Sequence, residues 1–290
     1  MDQTGGSQGY IVLATGSRKY LIMATNLVAS ILVMDPNREV CVVHDPDADV
    51  PRELQHSRVH LRALPPDPLY PTVINKFRLP SVSPFGQTMY VDADCLLVKR
   101  DIDFYWNAVG AQPLAITGSR RVDGLWKGRK IRDILREQNV DHIVQNNGGV
   151  FTFNRSPESV ALFEDLNAFY LERRETLRVH THQGTRFFSD EMYFAVFMGL
   201  RNIPPASYDP GPNNSWMVTT WRALACRFEP RSELSVVYKA RSNLFDLTIM
   251  PTGWRRLSPT FAHFVGLKPR RLYTRLANEF RVACGMPLLD

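Results

Sequence analysis

The sequence contains few cysteines, no long apolar run and no strong excess of one charge. Its four cysteines form no Cys-x-x-Cys pair, which argues against a thiolate zinc site and against the disulfide framework of a small secreted domain. The longest apolar run, residues 20–34, is interrupted by Asn26 and Ser30 and is shorter than the ~20 apolar residues that cross a bilayer. We therefore expect this run to form a buried helix.

The first nine residues are polar and rich in glycine. They lack the basic start and the apolar stretch of a secretory signal, so we expect residues 1–9 to be disordered and the protein to be cytoplasmic. Cys41 and Cys95 lie inside apolar runs, where we expect core thiols; a chance disulfide is the alternative.

The rest of the composition is that of a folded protein. Apolar residues make up 44% and charged residues 22% of the 290 residues, with 16 Phe, 10 Tyr and 5 Trp, which is more core material than disordered chains carry. The net charge of +6 is concentrated near the end of the chain. We interpret this basic segment as a solvated face and expect no nucleic acid partner; a peripheral contact with lipid headgroups or an anionic acceptor is the alternative.

Apolar runs alternate with helical patterns, which predicts an α/β protein with a mainly parallel, open, Rossmann-like sheet and flanking helices. The predicted strands are Tyr10–Thr15, Glu39–His44, Val59–Leu64 and Thr88–Val91. The predicted helices are Tyr20–Met34, Val73–Leu79, Asp101–Val109 and Ile131–Gln138. Ligands of such sheets bind at the carboxyl ends of the strands, so polar residues at these ends are candidates for a site.

The second half of the chain has fewer clear elements. A helix from Pro157 to about Arg174 has Ser156 as its N-cap, and a second helix has Ser189 in that position. The other predicted elements are a short strand at Val150–Phe153, the second helix at Asp190–Met198, a strand at Phe261–Val265 and a basic helix at Arg271–Ala283 within 271–290. Residues 203–262 are predicted to be rich in loops.

Two carboxylates, Asp92 and Asp94, follow directly after a predicted apolar strand. Because the chain bends where the strand ends, both side chains can turn toward one hard divalent cation. The alternative is a turn in which these residues make Asx hydrogen bonds.

Six further residues or residue pairs are candidates for chemistry, and most of them have a structural alternative. Asp190 and Glu191 begin a helix, where the dipole stabilises anions without any active-site role. His263 is flanked by apolar residues and is either a ligand or a hydrogen-bonded core residue. Gly266 and Lys268 could bind phosphate. The other candidates are Asn147, either a donor to sugar hydroxyls or part of a tight turn; Lys76, for phosphate or solvent; and Tyr20, for base stacking or the core.

The order of these features is more specific than any one of them. It runs Ala14-Thr15 with Tyr20, Asn75-Lys76-Phe77-Arg78-Leu79, Tyr90-Val91-Asp92-Ala93-Asp94, Asn147-Gly148-Gly149-Val150-Phe151, Asp190-Glu191, and His263-Phe264-Val265-Gly266 with Lys268-Pro269. This succession resembles the retaining nucleotide-sugar glycosyltransferases of family 8, the group of glycogenin and bacterial galactosyltransferases, which have the GT-A fold. The resemblance implies one GT-A domain over 10–270, with a nucleotide-binding half (10–100) and a sugar and acceptor half (101–270).

The resemblance also implies roles for individual residues. Asp92, Asp94 and His263 match the protein ligands of the family's divalent metal, normally Mn²⁺ with Mg²⁺ as the alternative, which bridges the donor diphosphate. The residues that match the nucleotide and phosphate side are Ala14, Thr15, Tyr20, Lys76, Gly266 and Lys268. Asn147 and Asp190 match polar residues around the donor sugar, and Glu191 is the third candidate catalytic residue.

Two departures from the family pattern bear on chemistry. The family usually has Asp-Gln where this chain has Asp190-Glu191, so Glu191 either acts as a nucleophile or orients the substrate. The family's tail motif has two residues between its glycine and lysine, whereas only Leu267 separates Gly266 from Lys268.

We expect a metal-dependent retaining glycosyltransferase that uses a nucleoside-diphosphate sugar, most simply a UDP-sugar, with an acceptor that the sequence does not indicate. One alternative is a module that binds sugar nucleotides or polyanions without turnover. The other is a haloacid-dehalogenase-type phosphatase, because a strand followed by Asp-x-Asp also describes its nucleophile and acid/base pair.

Overall fold

A computed structural model of the chain describes residues 7–180, 186–206, 214–219, 223–227, 236–239 and 255–289. The α-helices in these ranges are α1 (Arg18–Met34), α2 (Ile102–Val109), α3 (Ile131–Gln138), α4 (Pro157–Arg173), α5 (Asp190–Leu200) and α6 (Arg270–Ala283). Shorter 3₁₀ helices cover Arg52–Leu54, Thr72–Ser81 and Val265–Leu267. Within the described part of the chain, no helix is both long and apolar enough to cross a membrane.

The described strands are distributed along the whole chain. Those of the first half are β1 (Gln8–Ala14), β2 (Glu39–His44), β3 (Val59–Ala63), β4 (Gln87–Val91), β5 (Cys95–Leu97), β6 (Leu114–Arg121), β7 (Leu125–Trp126), β8 (Arg129–Lys130) and β9 (Ile143–Asn154). Those of the second half are β10 (Val179–His180), β11 (Arg186–Phe187), β12 (Asn214–Thr219), β13 (Ala223–Arg227), β14 (Val236–Lys239) and β15 (Arg255–His263).

The predicted α/β class with a mainly parallel central sheet and flanking helices is confirmed. Six strands pair in the order β3-β2-β1-β4-β9-β6. Strand β1 runs parallel to β4, and the edge strand β6 runs antiparallel to β9. Strand β15 belongs to a second sheet, where it pairs with β12, β14 and β5.

Most predicted elements lie within one or two residues of their predicted bounds. Strand β2 and helix α3 match their predictions, and α4 begins at Pro157 with the Ser156 hydroxyl accepting from the Ser159 N–H. Ser189 occupies the N-cap position of α5, but its side chain makes no capping hydrogen bond. The predicted core thiols are confirmed for Cys41 and Cys95, which are buried and form no disulfide with each other.

Four predicted elements differ from the structure. The strand predicted at Val150–Phe153 is longer: it is the twelve-residue strand β9, which also includes Asn147, Gly148 and Gly149 at a shift in its register with β6. The helix predicted at Val73–Leu79 is a 3₁₀ helix that contains Pro80, whose ring cannot continue an α-helix. Strand β1 includes Gln8 and Gly9, because the carbonyl of Ser7 accepts from the Gln87 N–H. The last strand, predicted at 261–265, ends at His263.

The chain forms two compact units. The first unit comprises Met1–Ile11, Arg62–Tyr90 and Ala111–Ser207, and the second comprises Val12–Leu61, Val91–Gly110 and Tyr208–Asp290. Each unit therefore draws segments from both sides of residue 100. Much of the loop-rich region predicted at 203–262 lies outside the described residues.

The core of the first unit is built from aromatic rings. Phe77 makes edge contacts with Tyr170, Tyr193 and Phe194, at centroid distances of 5.7, 6.3 and 5.1 Å. Burial raises the pKa of Tyr193, whose hydroxyl donates to the carbonyl of Arg174. These contacts join the 3₁₀ helix, α4 and α5, and so fix the start of α5, where Asp190 and Glu191 lie.

The core of the second unit is helix α1, which packs against α6. The buried amide of Asn26 donates to the Tyr273 hydroxyl and accepts from Arg281. Arg281 is 4% exposed and also donates to Glu53. The basic terminal helix is therefore not uniformly solvated, because one of its arginines closes a buried polar network.

Candidate functional site

Two aspartates and a histidine converge in the second unit. Asp92 and Asp94 lie between β4 and β5, and β15 runs antiparallel to β5 with His263 opposite Cys95. The Phe264 N–H donates to the Asp94 carbonyl and fixes this register. As a result, His263 Nε2 lies 3.2 Å from Asp94 Oδ1 and 3.7 Å from Asp92 Oδ2.

These three side chains suit a hard divalent cation. Carboxylate oxygens are the donors that Mn²⁺ and Mg²⁺ prefer, and the imidazole adds a nitrogen ligand that a transition metal such as Mn²⁺ accepts. The thiol of Cys95 lies with Asp94 and His263 in a group whose ligand atoms are within 4.8 Å of one another. Cys95 was predicted only as a core thiol. Its position next to Asp94 in the sequence is the signal that could have placed it near this group. A thiol favours softer metals, so the oxygen-rich set of Asp92, Asp94 and His263 is the better fit to Mn²⁺.

The strand end predicted to bind uridine also lies in the second unit. Ala14 is buried at the end of β1, and the next glycine, Gly16, donates its N–H to Asp45 Oδ2 at 2.6 Å. Tyr20 is 38% exposed in the first turn of α1, with Lys19 Nζ 4.9 Å from its ring centre. The Tyr20 ring is therefore available for stacking rather than part of the core. Asp45, the polar neighbour of Gly16 at this strand end, was not identified from the sequence.

The tail motif turns sharply after β15. Gly266 has a φ of 62° and Leu267 a φ of 58°, and Gly266 has open space where a Cβ would project. The following Lys268 is exposed. Gly266 and Lys268 are thus accessible to an anion. The second residue of this turn with a left-handed conformation is Leu267 and not a glycine.

A buried ion pair occupies the first unit. Lys76 is 4% exposed, and its Nζ lies 2.7 Å from Asp190 Oδ2 and 3.0 Å from the Gly148 carbonyl oxygen. The Tyr90 ring lies beneath the ammonium, with its centre 4.9 Å from Nζ. Lys76 therefore balances the charge of Asp190, one of the candidate catalytic residues.

Glu191 is held on both of its oxygens. The Gly148 N–H donates to Oε1 at 3.1 Å, and Lys127 forms an ion pair with Oε2. The backbone carbonyl of Glu191 accepts from the Asn146 amide at 3.1 Å. Lys127 was missed from the sequence because a lysine in a glycine-flanked hairpin carries no pattern that links it to Glu191.

Asn147 makes a local contact. Its side-chain oxygen accepts from the Gly149 N–H at 3.1 Å, so its amide nitrogen is not used in that hydrogen bond. The neighbouring Asn146, rather than Asn147, connects β9 to α5.

The predicted site residues fall into two groups, one in each unit. The second unit holds Ala14, Thr15, Tyr20, Asp92, Asp94, His263, Gly266 and Lys268. The first unit holds Lys76, Asn147, Asp190 and Glu191. Within each unit the structure brings the charged members together: Asp92 and Asp94 around His263, and Asp190 around Lys76.

At Gly148, β9 passes close to the start of α5. A Cβ at this position would lie 2.5 Å from Asp190 Oδ2 and 3.1 Å from Glu191 Cγ. Gly148→Ala is therefore expected to displace the Asp190 carboxylate from Lys76 and to destabilise the fold by about 2 kcal/mol, measured by urea unfolding.

The control for Gly148→Ala is the same change in an Asp190→Ala background. There the nearest clashing atom is gone, so the added loss should be at most about half as large. Equal losses in both backgrounds would contradict a clash with Asp190.

Comparisons with known proteins bear on the fold. No protein-family model and no curated protein matches the chain. The galactosyltransferase LgtC, solved with donor and acceptor sugar analogues, matches with a TM-score of 0.54 and 14% identity, covering 97% of each chain. The glycosyltransferase GlyE of Streptococcus pneumoniae TIGR4 and the bifunctional glycosyltransferase WbbM have TM-scores of 0.46 and 0.45 at 14% and 16% identity. The chain spans 46% and 39% of those two proteins.

The near-complete overlap with LgtC establishes the class of fold. The mainly parallel central sheet and its flanking helices match a GT-A glycosyltransferase fold. Because fold alone does not define chemistry, activity has to be argued from the two groups of side chains.

Proposed function

We propose that this protein is a metal-dependent, retaining glycosyltransferase that uses a UDP-sugar as donor. The observation that carries the proposal is the convergence of Asp92, Asp94 and His263, with His263 Nε2 within 3.7 Å of both carboxylates. The GT-A fold supports it, because a GT-A galactosyltransferase of nearly the same extent was solved with donor and acceptor analogues.

In this proposal Asp92, Asp94 and His263 hold the divalent cation, Mn²⁺ or Mg²⁺. When bound, the cation neutralises the charge that develops on the leaving diphosphate. The protein groups that bind the phosphates directly are the exposed Lys268 and the open backbone at Gly266. Ala14 and Thr15 line the uridine side at the end of β1, and the exposed ring of Tyr20 stacks on the base.

The proposed roles toward the transferred sugar belong to Asn147, Asp190 and Glu191. Asn147 donates from its amide nitrogen, Asp190 accepts from sugar hydroxyls, and Lys76 holds the Asp190 carboxylate in place. Glu191 has two candidate roles, nucleophile or orienting group. Both of its oxygens already accept from protein donors, which favours orientation, because a nucleophilic oxygen must be free to approach carbon.

The test is thermal stabilisation by donor and metal together. A ligand that binds only the folded state raises stability in proportion to ln(1 + [L]/Kd). In a panel of UDP-sugars with and without Mn²⁺, we expect one donor to raise Tm by several degrees only when Mn²⁺ is present, and to be slowly hydrolysed.

Other outcomes separate the alternatives. Stabilisation with no hydrolysis or transfer would support a binding module without turnover. Mn²⁺- or Mg²⁺-dependent hydrolysis of small phosphoesters would support the phosphatase. If no nucleotide sugar changes Tm, the proposed function is wrong.

A further inference from the structure

Lys127 occupies an unusual backbone position. It lies between β7 and β8, at the tip of a two-stranded hairpin, with a φ of 47°. This left-handed region favours glycine, and a lysine there costs of the order of 1 kcal/mol. Such a residue persists where its side chain has a use that glycine could not serve.

The side chain of Lys127 reaches Glu191. The two form an ion pair in which the lysine side chain is 25% exposed and the glutamate 22%. Partial burial strengthens this pair relative to a surface pair, because the two charges are less screened by water. The ion pair uses Oε2 of Glu191, because the Gly148 N–H donates to the other carboxylate oxygen, Oε1.

The pair completes a balance of charge around Gly148. Asp190 is matched by Lys76, and Glu191 is matched by Lys127, so two adjacent carboxylates have two ammonium groups. Without Lys127, a second negative charge would stand unbalanced next to the buried Asp190.

We propose that Lys127 is a positioning residue of the transfer reaction that acts through Glu191. It holds the glutamate carboxylate in one orientation and cancels its charge, so that Glu191 orients the donor sugar as a neutral amide would and does not attack it. This inference rests on the proposed function. The competing explanation is structural: Lys127 would only stabilise its hairpin, and transfer would not depend on it.

A double-mutant cycle distinguishes these explanations. The variants are Lys127→Met, Glu191→Gln and the double variant, assayed for kcat and KM with the UDP-sugar that the wild-type protein turns over. We expect Lys127→Met to lower kcat about tenfold with little change in donor KM, because the misplaced carboxylate affects orientation more than binding. Glu191→Gln should stay within about tenfold of wild type.

The double variant carries the sharpest expectation. The double variant has a neutral amide and no opposing charge. Its kcat should therefore be no lower than the kcat of the less active single variant, whereas independent effects would multiply the two losses. Lys127→Arg should keep kcat within about threefold, since it preserves the charge. Lys130→Met is the matched control: Lys130 is exposed in the same hairpin, and its loss should leave kcat unchanged.

Three results would overturn the inference while leaving the proposed function intact. These are wild-type kcat in Lys127→Met, losses that multiply in the double variant, or a loss in Glu191→Gln beyond about a thousandfold with unchanged donor affinity, which would make Glu191 a nucleophile. A wild-type protein that turns over no UDP-sugar and is not stabilised by one would instead overturn the proposed function, and this inference with it.

Discussion

Replacing Lys76 with methionine is expected to lower the free energy of unfolding by about 3 kcal/mol, the largest stability loss predicted here. The substitution keeps the apolar stem but removes the ammonium that Asp190 Oδ2 contacts at 2.7 Å. Asp190 is itself 6% exposed, so an uncompensated charge would stay buried. Urea unfolding measures the loss directly, and Tm should fall by roughly 6–12 °C.

An exposed ion pair of the same unit is the control for Lys76→Met. Arg136 and Asp133 lie 3.1 Å apart on α3, with side chains 77% and 42% exposed. Arg136→Met should cost less than about 1 kcal/mol, because water screens that pair. Adding Asp190→Asn to Lys76→Met should recover much of the stability. If Lys76→Met is no worse than Arg136→Met, the lysine does not compensate a buried charge.

The largest effect on activity is expected for Asp94→Ala. Removing one of three ligands should reduce Mn²⁺-dependent donor turnover at least about a thousandfold, equivalent to about 4 kcal/mol of transition-state stabilisation. The fold should persist, because the hydrogen bond from the Phe264 N–H goes to the backbone carbonyl of Asp94, which alanine retains. Turnover and Mn²⁺ affinity by calorimetry give two independent measurements.

A matched aspartate tests whether the loss is specific to this position. Asp103 lies in the same unit, its side chain is 69% exposed, and it pairs with Arg38. Asp103→Ala should keep wild-type turnover and Mn²⁺ affinity. Wild-type behaviour of Asp94→Ala would exclude the metal assignment. An unfolded His263→Ala variant would show that the histidine serves the core instead.

The elements that sequence analysis located best are those whose signals are local. Helix α4 has a serine cap and a proline at its first position, and α1 is one apolar run, so neither needed knowledge of the rest of the chain. The aspartate pair was likewise visible because a strand ends directly before it. The approach of this aspartate pair to His263 was expected from the resemblance to the glycosyltransferase family.

Sequence analysis failed where long-range pairing decides the structure. Asn147 and its glycines have the composition of a turn, yet they lie inside β9, where the register with β6 shifts between the pairs Asn146–Gly118 and Phe151–Ile116. The contact between Lys127 and Glu191 joins the loop of the β7-β8 hairpin to the start of α5, 64 positions further along the chain. No local periodicity encodes such a contact, and only the packing of α5 against β9 brings the two side chains together.

The antiparallel register of β15 on β5 has a consequence for folding. Asp92 and Asp94 are two positions apart in the chain, but His263 joins them only when a strand from the far end of the sequence has paired with Leu96 and Leu97. Closing so long a loop costs chain entropy before any ligand is complete. Binding of the proposed metal is therefore expected to be coupled to the docking of that strand. The Mn²⁺ affinity of the protein should thus report how completely its last strand has folded, even in the absence of any sugar.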